Sequence, residues 1–465
     1  MNIRQSLSIA SVLLFIGGSL CGQNGGIDNQ TLEQIKKNST IAGESKAIQT
    51  AVSGNDINKL ALNRNNPVYN DTYFSNKVVS KGICNQKSSG RCWLFTGLNV
   101  LRAKVIAKYN LGEFQFSQNY CFFYDQLEKS NLFLQAVIDT RNKPFEDKTV
   151  EWLFKNPIGD GGQFTGVVNL ITKYGVVPSE IMPETYSSNN TSRMSQLISL
   201  KLREYGLQLR EMAAKGEKLP ALTKQKVEML STIYRMLELN LGTPPTEFVY
   251  TQKDASGKPV STKTYTPQSF FKDFVGVDMS NYVMVMNDPT RPYNKVYEIE
   301  YDRHVYDGEN WKYLNLPMED IKKMAIASIK DSTMMYFSCD VGKFLNSDNG
   351  FLDIDNFDYS SLMGTSFNMD KKQRIQTFAS GSSHAMTLCA VDLDENGTPK
   401  KWMVENSWGP THGFKGHLIM TDKWFDEYMF RLVVDKKYIP ENIQAMLNQK
   451  SIMLPPWDPM FAVEE

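Results

Sequence analysis

Along the chain, polar and apolar positions change rhythm at residue 92. The run CWLFTGLNVLRAKVIAKY repeats apolar residues every third or fourth position, with Arg102, Lys104 and Lys108 toward its end. That is the period of a helix. The polar stretch NQKSSGR and Gly90 break the chain just before it, so the spacing predicts a long buried helix whose first turn carries Cys92. The short segment FQFSQNYCFFYDQLEKSN follows, to which the pattern assigns no element. PIGDGGQFTGVVNLITKYGVVP reads as a tight turn, Asp160-Gly161-Gly162, feeding a helix that Pro178 closes. From about 190 to 240 the chain is amphipathic and charged, with Pro220 dividing two helical halves. Strand-like runs follow: TEFVYTQKD and KTYTPQSFF around Ala255-Ser256-Gly257, then TMMYFSCDV, HAMTLCAVDLD, KWMVENSWG and GHLIMT. A helical half and a β-rich half predict an α+β architecture. The divisions expected are a surface-wrapping segment 23–75, a helical half 76–190, a helical insertion 191–245, a β-rich half 246–455 and a tail 456–465.

The first 22 residues have a different character. Arg4 precedes LSIASVLLFIGGSLCG, which is too short for a comfortable membrane span and leads into polar sequence. This predicts a signal peptide over residues 1–22 and an exported, periplasmic protein. Cys21 also suggests a lipid-anchored terminus, against which stands the bulky Leu20 where a small residue is usual. No later segment is long enough to span a bilayer. Lysine plus arginine equals aspartate plus glutamate, 51 each, so net charge gives no support for nucleic-acid binding. Once Cys21 is set aside, Cys84, Cys92, Cys121, Cys339 and Cys389 form an odd set, so at least one thiol is unpaired in an exported monomer. There is no Cys-x-x-Cys pair, and His412 and His417 sit in a glycine-rich turn, so neither a metal nor a cofactor is expected. Cys339 and Cys389 lie in apolar runs and read as core residues.

A cysteine attacks as its thiolate, and a free thiol has a pKa of about 8.5. The first turn of a helix favours that charge through unpaired amides, and a nearby imidazole does more. Of the four histidines, His384 is the best placed, at the start of an apolar strand among small residues. Asn406, 22 positions on at another strand end, can fix the ring's tautomer if the two strands are antiparallel neighbours. Trp408 is placed to shield that bond. Gln86, six residues before Cys92, can donate to an oxyanion together with the Cys92 amide. The bland alternatives are a structural Cys92 or a Cys84–Cys92 disulfide, and a hydrogen-bonded core His384. His304, His412 and His417 read as structural or surface residues, and Asp160-Gly161-Gly162-Gln163 as a turn lining the substrate cleft.

In this order QKSSGRCWLF, SHAMTLCAV and ENSWG resemble the motifs of the papain-like cysteine peptidases. NQKSSGRCWLFTGLNVLR, DGGQF, VENSWG, KGHLIMTDKWFDEYMFRLVV and LPPWDPM resemble more closely the bleomycin hydrolase and aminopeptidase C family, from about residue 65 to the end. The resemblance implies a papain-like fold and a thiol peptidase that trims peptide amino termini. It also implies a tail lying in the active-site cleft, where the terminal carboxylate of Glu465 meets the substrate's α-amino group, and a homo-hexameric ring. Two departures stand out: the leader, and a tail, FAVEE, bulkier and more acidic than the small residues usual there. The expected function is therefore a cysteine-type aminopeptidase acting on peptides. The alternatives are a thiol endopeptidase or acyl transferase with an open cleft, and a non-enzymatic ring-forming binding protein.

Overall fold

The helix Cys92–Tyr109 is buried on nearly every side, from Trp93, Leu94 and Phe95 to Val105 and Ile106, so its surroundings define the architecture. In the computed structural model, which describes residues 25–39, 43–67, 71–79 and 81–461, this helix lies between a large sheet and a layer of helices. The expected signal peptide 1–22 with Cys21, and Glu465 at the tail's end, fall outside the described residues. On one side the helix packs against the strand His384–Leu393, on the other against the helix Phe164–Tyr174. The second contact is close: a Cβ on Gly97 would come 2.6 Å from Val167 Cγ2, so a larger residue would push the two helices apart.

The segment FQFSQNYCFFYDQLEKSN, to which the sequence pattern assigns no element, begins a 22-residue helix, Gln118–Asp139, capped by the Ser117 hydroxyl accepting from the Tyr120 amide. Its period is masked because Asn119, Asp125 and Gln126 are buried beside Tyr120, Phe122, Phe123 and Phe133. A helix that buries polar groups on its inner faces loses the simple stripe by which helices are read. The helix after the glycine turn ends at Tyr174 rather than Pro178, because Gly175 takes up a φ of 73° and its amide bonds back to Ile171. Two long helices, Ser192–Ala214 and Leu219–Leu241, with Pro220 in the first turn of the second, pack on Gln118–Asp139 through Ile198, Leu202, Leu222, Ile233 and Leu237.

The β-rich half forms one mixed sheet. Its central order is Tyr282–Met286, Met429–Asp435, Met335–Cys339, His384–Leu393, Pro399–Glu405 and His417–Thr421, with all adjacent pairs antiparallel. One apolar core fills the space between sheet and helices. A second lies on the sheet's other face, where Met318–Lys330 buries Ile321, Met324 and Ile329. His384–Leu393 is buried on both faces and explains its near-continuous apolar run. Together these layers make an α+β, papain-like fold. A separate compact unit comprises the described part of residues 1–62 with Ser361–Gly364; in it, Asp28 and Asp56 cap the helices Asn29–Asn38 and Ile57–Ala61.

A buried ion pair joins the two halves: Arg102 Nη2 on the central helix donates to Glu405 Oε1 at 2.5 Å, and both side chains are almost fully enclosed. Removing one partner of such a pair strands the other charge and costs about 3–5 kcal/mol. Glu405→Gln is therefore expected to lower unfolding free energy by that order in urea titration, and an unchanged midpoint would contradict the role given to the pair.

Candidate active site

Cys92 is the first residue of its helix, and the residue before it fixes the approach. The Arg91 guanidinium is fully buried, bonds to both Glu184 oxygens at 3.1 and 2.8 Å and to Ser89 Oγ, and lies over the Phe95 and Phe122 rings. Planar two-point pairing of this kind sets direction as well as energy. Burial pushes the Cys92 thiol up, while the backbone amides of Ala385 and Trp93 and its own amide draw it down. Cys84 and Cys92 are both free thiols, and Cys84 rests against Asn99 Oδ1 and the Arg102 guanidinium, so the disulfide alternative is not formed.

His384 opens its strand, and the antiparallel neighbour Pro399–Glu405 ends one residue before Asn406. The register brings His384 Nε2 to 2.8 Å from Asn406 Oδ1, with the ring carrying the proton as donor; Ser407's amide donates to the same oxygen at 2.8 Å. The Trp408 ring stacks on the imidazole at 4.9 Å, 27° from parallel, and covers the bond from water. Nδ1 is left as the proton acceptor. Burial pushes His384 down to about 4, and the Asn406 bond opposes that shift. Each shift disfavours a lone charge. A proton passing from thiol to imidazole makes opposite charges together, and their attraction offsets part of both costs.

Gln86 is tied at both ends of its amide: Ser407 Oγ donates to Oε1 at 2.6 Å, and Nε2 donates to the Ser89 carbonyl at 2.6 Å. The second Nε2 hydrogen is left for the cleft. Main-chain bonds from Gln86 to Ser407 and from Gly409 to Cys84 fasten this loop to the segment bearing Asn406. Cys92, His384, Gln86, Gly161 and Gly162 all line one cavity of about 590 Å³. The structure thus brings together the residues expected to act, except Glu465, which is not described.

Several contacts of the site have no signal in the sequence. Asp160 accepts from the Gly90 amide at 2.7 Å and from Thr191 Oγ1 at 2.5 Å, while its carbonyl accepts from Trp93 Nε1 at 2.8 Å, so the glycine turn is bolted to the cysteine loop. His304 was expected at the surface or in a structural role; it is buried, lines the cavity, lies 4.7 Å from the Trp93 ring, and pairs through Nδ1 with Asp125 at 2.5 Å. A Cβ on Gly162 would fall 2.3 Å from His304 Cε1 and 2.8 Å from Trp93 Cε2, which is why glycine stands there. Asp125 and Lys129, one turn apart on the unrecognised helix, were the missing signal; Lys129 reaches the Gly161 carbonyl at 2.6 Å.

The last described residues, Met460 and Phe461, line the same cavity. Asp458 pairs with Arg291, the Met460 carbonyl accepts from Arg431 Nη2 at 2.9 Å, and Phe461 packs edge-on against Trp311 at 4.6 Å. Met460 and Phe461 line the cavity that holds Cys92 and His384.

A thiol at a helix terminus facing a strand histidine, with an asparagine behind the ring, is the arrangement of a papain-like cysteine peptidase. Comparison agrees: the chain belongs to the Peptidase C1-like family, whose model matches residues 26–461. It is 41% identical to human bleomycin hydrolase over 84% of this chain and 89% of that one. Aminopeptidase C of Lactobacillus delbrueckii subsp. lactis is 37% identical over 94% and 98%. The crystal structure of PepW from Lactobacillus rhamnosis HN001 superposes with a TM-score of 0.91, at 37% identity over 95% of this chain and all of that one.

The depressed His384 gives a pH dependence of stability. An unfolded histidine takes its proton near pH 6.5, whereas the folded one resists until about 4. The stability that neutral His384 contributes is complete above about pH 6.5 and is lost progressively as the pH falls to about 4. Urea midpoints at pH 7 and pH 5 should therefore differ less in His384→Gln than in the unaltered chain; equal differences would refute the assignment.

Proposed function

We propose that the chain is a cysteine aminopeptidase that releases residues from peptide amino termini through a thioester on Cys92. In this reading His384 Nδ1 takes the thiol proton as Sγ attacks the scissile carbonyl, and Asn406 holds the ring for that transfer. The oxyanion receives hydrogen bonds from the Gln86 side-chain amide and the Cys92 backbone amide. His384 returns the proton to the departing amine, then activates the water that cleaves the thioester and restores the thiol. Gly161 and Gly162 line the cavity on which the substrate's main chain would lie.

The observation that carries the exopeptidase reading is that Met460 and Phe461 wall the cavity containing Cys92 and His384. In this reading residues so placed shorten the cleft on the side of the substrate's amino terminus. The same proposal includes a homo-hexameric ring, checked by sedimentation, and export behind the 1–22 leader, checked by cell fractionation.

Cys92→Ala is expected to lower hydrolysis of aminoacyl amides by at least about a thousandfold while leaving the fold intact, since it removes the nucleophile and little volume. Residual turnover near that of the unaltered enzyme would sink the mechanism. Deleting Phe461 to Glu465 should convert trimming into internal cleavage of amino-terminally acetylated peptides. A truncated enzyme that still requires a free amino terminus would show that the gate lies elsewhere.

A further inference from the structure

We infer that the Asp302 carboxylate is the fixed counter-charge for a substrate ammonium group in the cleft. The inference rests on the aminopeptidase reading and adds to it a recognition residue carried by the fold rather than by the tail.

Asp302 follows Tyr301 in a turn just beyond the strand Lys295–Ile299. Tyr301 has a φ of 65°, a costly conformation for a bulky residue, so the surroundings must enforce it. They do so through main-chain bonds: Trp311's amide to the Asp302 carbonyl at 2.7 Å, Asp302's amide to Ile299, and Arg303's amide to Tyr301. The turn delivers both Tyr301 and Asp302 to the wall of the cavity that contains Cys92.

The Asp302 carboxylate is half-buried there, and among the described residues no cation lies within ion-pair distance of it. Three basic side chains stand nearby, and each is engaged by other groups. His304 is bound to Asp125; Lys129 is bound to Asp125 and to the carbonyls of Gly159 and Gly161; Arg431 holds the Gln163 side chain and the Met460 carbonyl. Burial pushes the Asp302 carboxyl up, and His304, Arg431 and Lys129 hold it down. They favour its charge from a distance without making contact with it. A half-buried carboxylate with no direct partner gains when a cation arrives at hydrogen-bond range.

The kind of cation follows from the neighbours. Among the described residues no three histidine, cysteine, aspartate or glutamate side chains gather to hold a metal ion. The cavity that Asp302 lines is also walled by Trp152, Tyr301, Phe133 and Leu132, which suit an organic group with an apolar body. An ammonium carried on a peptide's end meets both conditions.

The test measures KM and kcat for leucyl and lysyl fluorogenic amides with the unaltered enzyme, Asp302→Asn and Asp302→Glu, with melting temperatures as a check on folding. Asp302→Asn should raise KM for the leucyl amide about ten- to a hundredfold with a smaller change in kcat. Asp302→Glu, which restores the charge, should recover most of the affinity. Loss on both substrates assigns the α-ammonium; loss on the lysyl amide alone assigns the side-chain ammonium. An unchanged KM on both, or equal impairment of the two variants, overturns the inference. Failure of the aminopeptidase reading would be visible separately, as cleavage by the unaltered enzyme of acetyl-leucyl amide at the rate of the free amine.

Discussion

The site depends on holding a helix and a strand from different halves of the chain in one register, and the Arg102–Glu405 pair is where that register is pinned. Arg102 lies on the helix begun by Cys92, and Glu405 is the residue before Asn406. Both charges are out of water, so the pair has strong directional demands and little freedom to slide. Glu405 also sits opposite Thr387 on the strand begun by His384. One contact therefore relates nucleophile, base and orienting amide at once. The loop bonds between Gln86 and Ser407, and between Asp160 and Gly90, extend the same bracing around the thiol.

That rigidity suits the chemistry. Burial opposes a charge on either Cys92 or His384, so neither is reactive alone. In the proposed mechanism the charge is met by fixed dipoles: the Trp93, Cys92 and Ala385 amides at the thiol and the Asn406 oxygen at the imidazole. Preorganised dipoles of this sort act when charge develops and need no rearrangement at that moment. Trp408, stacked on the imidazole, keeps water from competing for the Asn406 bond.

Much of this was legible in the sequence, for identifiable reasons. The helix at Cys92 has an unbroken apolar period, and the strands bearing His384 and Asn406 are apolar runs closed by turns, so the acting residues could be placed on the right kinds of element. The helix Gln118–Asp139 was missed because Asn119, Asp125 and Gln126 interrupt its apolar faces. Those interruptions are polar groups serving the site from behind, Asp125 through His304 and Lys129, Asn119 through the Pro183 and Leu241 carbonyls. The pairing of Asp125 with His304 spans 179 residues of sequence, and no local pattern announces a contact of that range. Asp160 was seen as part of a turn, but its bonds to Gly90 and Thr191 depend on where the insertion returns to the cleft.

The proposed selectivity of the cleft divides between two kinds of structure. The tail is tethered at Asp458, Met460 and Phe461, each through a contact with the β-rich half, so its position follows from that half rather than from the helices. Arg431 is the joint: it bonds to the Met460 carbonyl on one side and, on the other, to Gln163 in the glycine turn. A guanidinium can bridge two neutral acceptors in this way because its planar fork offers several donors at once. Arg431 thereby couples tail placement to the same turn that carries Gly161 and Gly162. It is also spent in doing so, which leaves Asp302 facing the cavity without a contacting cation. The arrangement that locates the tail is thus also the one that leaves a carboxylate free to meet a substrate's charge.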